Sequence, residues 1–391
     1  MGVASLSATD RFQVSAASLS TLTVAQLLVY AVMQVPAGIL LDRFGPRRLI
    51  IAGSLITGMG NLIVAVSPLF PVAVIGRAIV GFGDAFVFIS MIRLINSWIP
   101  GSRATRYTQL FANLGQLGQL GSAIPFAWLL GFAGWAPAFG SISALALVAA
   151  SVATLFIRDD PKQQQVTMIP GPMLAESFRL NWRDAHTWKA FWVHFTLQSS
   201  GSLFILLWGY PFLVQGELVD KGVATALLSS FVFIGFFVGP ILSHVCVTHP
   251  QRRHVLVTSI YSAMVFAWLL IFLTPGRNPL WQLVLLVLVI GLGGPASMIA
   301  FDYSRTTISE SRIGSANGII NSGGFVATFS SMFLIGMCLD LIRDLGLVDN
   351  RQLYNLDAFK LALPLQLFIM SLGLFFFYRS RRAAIAAGIG K

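Results

Sequence analysis

Residues 38–48 read Gly38-Ile39-Leu40-Leu41-Asp42-Arg43-Phe44-Gly45-Pro46-Arg47-Arg48. They hold one acid and three arginines, while the stretches on either side, 22–41 and 49–67, carry no charge. Each flank is about the 20 residues that a helix needs to cross hydrocarbon. The charged turn between them therefore sits in water, and its two flanks are antiparallel membrane helices.

Nine more apolar runs bounded by Gly, Pro or charge follow from the same reading, at 72–97, 107–130, 135–157, 189–214, 223–246, 254–273, 280–303, 314–341 and 357–378. Composition agrees: of 391 residues, 56% are hydrophobic and 10% charged, which fits no soluble class. An all-α polytopic membrane protein of eleven helices is expected. The net charge of +11 would point to a nucleic acid in a soluble chain, but here no polar domain is left to hold one. Cys246 and Cys338 both lie in apolar runs, so neither a disulfide framework nor a Cys-based metal site is expected.

Orientation follows from Lys and Arg in alternate loops, which gather on the cytoplasmic side. Arg43, Arg47, Arg48, Arg103, Arg106, Arg158, Lys162, Arg179, Arg183, Lys189, Arg252, Arg253, Arg305, Arg312 and four cations of the tail fall on one side, 18 in all, against six on the other. The C-terminus is expected in the cytoplasm. The long polar stretch 158–188 reads as a cytoplasmic linker between an N-terminal bundle, 1–157, and a C-terminal bundle, 189–380, with a tail at 381–391.

An internal repeat sharpens this layout. Ile99-Pro100-Gly101-Ser102-Arg103 recurs as Ile308-Ser309-Glu310-Ser311-Arg312, and the exit Gly38 to Arg48 recurs as Gly239 to Arg253. Both matches fall at equivalent places if the layout has two parallel six-helix halves and the first lacks its first helix.

The segment 38–48 resembles the loop signature G-x-L-x-D-R-x-G-x-R-R of the major facilitator superfamily, between its second and third helices. Gly76-Arg77-Ala78-Ile79-Val80-Gly81-Phe82-Gly83 is similar to its helix-four pattern of Arg followed by Gly and small residues. The resemblance covers 22–380 and points to poorly characterised bacterial members. It implies two pseudo-symmetric bundles, a central cavity lined by helices one, four, seven and ten, and a loop latch at Asp42 and Arg43. The chain departs from the pattern in lacking helix one, in keeping only Gly239, Arg252 and Arg253 of the second loop, and in having Gly115, Gly118, Gly121 and Pro125 where drug antiporters have Gly-Pro.

Charge inside hydrocarbon persists only when paired, hydrated or useful. Asp84, near the middle of helix four, is therefore a candidate proton or cation site, and Arg77, two turns away on the same face, its partner or an anion ligand. A purely structural pair is the alternative. Arg93 and Asp302 are related by the repeat, near the cytoplasmic ends of helices four and ten. They are candidate partners in a gate, against the alternative that Arg93 reaches lipid phosphate and Asp302 pairs with Arg305. His194, Gln198 and Ser202 form one polar stripe on helix seven, as substrate ligands or, for His194, an interfacial residue. Gln26, Tyr30 and Gln34 on helix two, Asn113 with Gln116, and Asn317 with Asn321 read as helix-packing polar groups.

No enzyme motif, ATP-binding sequence or histidine cluster at metal-ligand spacing occurs, so no catalytic residue, cofactor or metal is expected. The expected function is secondary active transport of a small solute by a monomer in the bacterial plasma membrane, with a proton as coupling ion and permease activity as symport or antiport. A membrane protein acting as a sensor, partner or truncated product without transport is the alternative.

Overall fold

The computed structural model describes residues 2–99, 107, 111, 114, 115, 118, 124–159, 171–348 and 354–386. Among the described residues every element is helical, and ten helices are long and apolar enough to cross a membrane. Half of one expected run, 107–130, including Asn113, Gln116 and Gly121, lies outside the described residues, as do Arg103 and Arg106. A shorter apolar helix, α5 (Ile124–Ala133), begins within that run and continues past it.

The chain divides into two compact units. The first, residues 6–14 and 21–168, holds most of α1 (Ser5–Phe12) and of α2 (Ala16–Phe44), with α3 (Pro46–Val66), α4 (Phe70–Trp98), α5 and α6 (Trp135–Phe156). Gly45, with φ +77°, makes the turn from α2 to α3, a conformation costly for any side chain, and Pro46 then starts α3 at the position that needs no N–H donor. The Arg47 N–H donates to Asp159 at 2.9 Å and its Nη2 to the Thr154 carbonyl at 2.8 Å, so the charged turn is tied to the end of α6.

The α3–α4 pair is a backbone seam. A Cβ on Gly53 would lie 2.7 Å from the Gly83 carbonyl, and one on Gly60 2.7 Å from that of Gly76, with reciprocal contacts of 2.6 and 2.9 Å. Between helices in lipid, where apolar side chains gain little by leaving the solvent, such close approach supplies the packing energy. Ser143 on α6 donates to the Gly58 carbonyl, and Trp135 to that of Val64, which closes α6 on the other side of α3. On α1, Arg11 donates to the Ser67 carbonyl at 2.9 Å and lies over the Trp135 ring.

The second unit, residues 1–5, 15–20 and 169–391, is built around α8 (Ala185–Gly216). Around it pack α7 (Gly171–Arg183), α9 (Lys221–Thr248), α10 (Arg253–Leu273), α11 (Leu280–Thr307), α12 (Glu310–Asp344) and α13 (Leu356–Ala386). Glycines on three neighbours allow close approach: Gly293 of α11 abuts the Leu197 backbone, Gly323 of α12 the Phe191 backbone, and Gly373 of α13 the side chains of Thr196 and Phe195. Toward its end α8 widens into π-helical turns at Phe204–Trp208 and Phe212–Gly216, on either side of Pro211, which cannot donate to a regular α-ladder.

Two placements differ from the sequence reading. Residues 1–5 and 15–20 belong to the C-terminal unit, because both oxygens of Asp340 on α12 accept the Ala16 and Ala17 N–H groups at 2.9 and 2.8 Å, and Gly336 makes room for that first turn. Within the expected linker 158–188, residues 171–183 form α7, whose Ser177 and Asn181 bond to Ser315 and to the Arg312 carbonyl of α12.

Candidate functional site

Each unit holds a polar cluster inside its apolar helices. In the first, Asp84 is the central residue of the 29-residue α4. Its Oδ2 accepts from Gln26 Nε2 at 2.9 Å and its Oδ1 from the Thr57 hydroxyl at 3.1 Å. Arg77 Nη2 donates to Gln26 Oε1, so one amide links the guanidinium to the carboxylate. Glycine again sets the register: Gly81, between Arg77 and Asp84, rests on the Gln26 backbone, where a Cβ would collide with its carbonyl. That contact places the Gln26 side chain between the two charges.

Arg77 is 8% exposed, and its Nε finds no acceptor among the described residues. Beside Asp84 opens a cavity of about 410 Å³, lined by Tyr30, Ser54, Thr57, Asp84, Phe88 and Phe111 among others. The cluster thus joins a carboxylate with access to open space to a buried cation with an unfilled donor. Such a group can exchange a proton, or hold a cation, at one end and an anion at the other.

The second cluster bears the expected helix-seven stripe. Gln198 Nε2 donates to the Ser202 hydroxyl at 2.9 Å, and its Oε1 accepts from Ser297 of α11, also at 2.9 Å. His194 Nδ1 donates to the Ser297 carbonyl at 3.3 Å and the ring lies edge-on to Phe301. The histidine is buried against α12, where Gly324 leaves space that a Cβ would take, 2.7 Å from its ring. Its side chain is therefore enclosed by protein.

Sequence reading brought out Arg77, Asp84, His194, Gln198 and Ser202, and the structure gathers them into these two clusters. It did not single out Thr57 or Ser297, and it took Gln26 for packing alone. The gating candidates behave differently. Asp302 is 3.5 Å from Arg305, its local partner, and Arg93 accepts at its carbonyl from Ser97. Arg43 is exposed, its guanidinium over the Phe44 ring, whereas the side chain of Asp42 lies outside what the structure describes. No group of three or more His, Cys, Asp and Glu side chains is placed to hold a metal among the described residues.

The ten apolar spans among the described residues, enclosing ionisable clusters, define a multi-pass helical membrane protein. The sequence model of the Major Facilitator Superfamily matches residues 1–332, and the chain belongs to that family. A probable sulfoacetate transporter, SauU, of Cupriavidus necator is 31% identical over 144 residues, covering 35% of this chain and 32% of that one, so the match spans about a third of this relative. Probable anion transporter 7 of Oryza sativa subsp. japonica is 23% identical over 366 residues, 85% of this chain and 80% of the relative. Among solved structures, a bacterial homolog of the human lysosomal transporter Spinster, inward-facing and unoccupied, superposes with a TM-score of 0.75 at 15% identity, covering 97% of this chain and 92% of that one. That likeness is one of fold.

Proposed function

We propose that the protein is a secondary active transporter that moves a small organic anion across the bacterial plasma membrane by alternating access, coupled to protons, with its C-terminus in the cytoplasm. The single observation that carries this is the Arg77–Gln26–Asp84 chain beside the cavity. A carboxylate in hydrocarbon is costly, and one that shares a bridging amide with a guanidinium gains or loses that interaction with its proton. Protonation of Asp84 weakens its hold on Gln26 and frees Arg77 to favour an anion, so the two loads are linked. The unfilled Arg77 Nε and the two relatives named for anions support the solute class.

His194, Gln198 and Ser202 are read as the second half's polar contribution to solute binding. Arg93 with Asp302, and Asp42 with Arg43, are read as gating groups that change partners in the cycle; in this conformation Asp302 holds Arg305.

The test is uptake by proteoliposomes of a pool of organic anions, with and without an inward proton gradient, comparing wild type with Asp84→Asn. Accumulation that needs the gradient and disappears in the variant, while gradient-free exchange remains, is the expected result. Uptake of the same anions by Asp84→Asn with undiminished gradient dependence removes Asp84 from coupling.

A further inference from the structure

At the end of the C-terminal unit where α8 and α10 begin and α11 ends, two cations share one aromatic ring. Lys189 Nζ lies 4.3 Å from the centre of the Tyr303 ring, and the Arg253 guanidinium carbon lies 5.6 Å from it. Both side chains are buried, 8% and 5% exposed. Arg253 donates to the Cys246 and Asp302 carbonyls and to the Thr306 hydroxyl, with no carboxylate among these partners. Lys189 has the ring and, among the described residues, no hydrogen-bond acceptor at its ammonium. A third cation, Arg381 of α13, is within electrostatic reach of Lys189 and of Tyr303.

Two nearby acids partly offset these cations: Asp184 is within electrostatic reach of Lys189 and Asp302 of Arg253. Asp184 caps α8, accepting from the His186 N–H at 3.0 Å and from Thr187, and Asp302 pairs with Arg305. Lys189, Arg253, Arg305 and Arg381 still outnumber these two acids, and an excess of cations at such a site stays charged at lower cost if an anion completes the group. The aromatic residues of the same segment say which anion. Trp188 and Lys189 are neighbours at the start of α8, Trp182 and Trp188 are in edge contact at 4.9 Å, and Trp192, one turn further, is stacked on Phe376 of α13 at 4.8 Å. Tryptophan gathers at the level of lipid headgroups, and basic pockets between helices at that level take headgroup phosphate.

We propose that Lys189, Arg253 and Arg381 form a binding site for the phosphate of an anionic phospholipid, with Tyr303 as its floor. The site is independent of the transport reading, since it lies in one unit and uses none of the residues assigned to solute or proton.

The test uses the purified full-length protein in detergent. Binding is read as a shift in thermal unfolding on adding phosphatidylglycerol, cardiolipin, phosphatidylcholine or inorganic phosphate at matched ionic strength. Phosphatidylglycerol and cardiolipin are expected to raise the unfolding temperature and phosphatidylcholine to leave it unchanged. Lys189→Met and Arg381→Gln should each weaken apparent affinity roughly fivefold, Lys189→Arg should keep most of it, and Arg382→Gln at the exposed neighbour should not change it. If Lys189→Met fails to fold, Arg381→Gln carries the comparison. An equal shift with phosphatidylcholine, or undiminished affinity in both charge-removing variants, overturns the site. A shift produced by inorganic phosphate alone that also blocks the lipid effect overturns the lipid as its ligand.

Discussion

Gln26 and Asp84 meet across two helices, the amide Nε2 of one donating to the carboxylate Oδ2 of the other at 2.9 Å, while the same amide's oxygen accepts from Arg77. The amide is an acceptor at one end and a donor at the other, so it neutralises neither charge yet connects both. No other uncharged side chain of that length except its own type can do this in one orientation.

Gln26→Leu should therefore strand Arg77 and leave Asp84 with the Thr57 hydroxyl alone. Each group left without its partner costs about 1–3 kcal/mol, so the variant unfolds at lower temperature and its gradient-driven uptake falls more steeply than its exchange. Gln26→Glu, which retains the acceptor for Arg77 but sets a second carboxylate against Asp84, should be worse for coupling than for folding. Thermal unfolding and paired uptake assays read the two effects separately.

Two glycines on α12 give opposite outcomes. A Cβ on Gly324 would lie 2.7 and 2.8 Å from His194 ring atoms and 3.0 Å from Gln198, and the overpacking should cost about 1–3 kcal/mol and reduce uptake. At Gly318 nothing lies within 4 Å, and Gly318→Ala should be neutral or stabilising by up to about 1 kcal/mol through helix propensity. Equal losses in both variants would show that helix flexibility, not the His194 pocket, is what matters at Gly324.

Arg47→Ala and Asp159→Ala each remove one of two bonds between the α2–α3 turn and the end of α6. Each should lower stability by about 0.5–1.5 kcal/mol. Because the Asp159 bond is to the Arg47 backbone, Arg47→Ala keeps it and loses only the Thr154 contact, so the double variant should approach the sum of the singles. A double no worse than either single would mean that the two bonds fail together.

Charge exchange tests the gating pair. Arg93→Asp and Asp302→Arg should each abolish uptake, and the double variant should recover it if the two residues meet during the cycle. Failure of the double to recover, with all three proteins folded, leaves Asp302 as the partner of Arg305 alone.

How far the sequence could be read depended on the range of the signal. Membrane spans are written locally, as unbroken apolar length, and the charged turn at 38–48 carries its own family signature, so both were legible. Asp84 and Arg77 were legible as charges where charge is costly. The role of Gln26 was not, because it depends on the approach of α2 to α4 at Gly81. Thr57 and Ser297 carry no local mark: a hydroxyl in a membrane helix can always bond back to its own turn, and only the neighbouring helix reveals another use. The polar stretch 171–183 looked like linker because it is too short and charged for a span, yet Ser177 and Asn181 dock it on α12.

The glycine seam between α3 and α4 also bears on heredity. Gly53, Gly60, Gly76 and Gly83 each face another backbone, and every amino-acid change reachable from a glycine codon by a single base adds at least one carbon there. These four positions therefore tolerate no small step, and descendants of this chain should keep all four glycines long after the residues facing the solute have diverged.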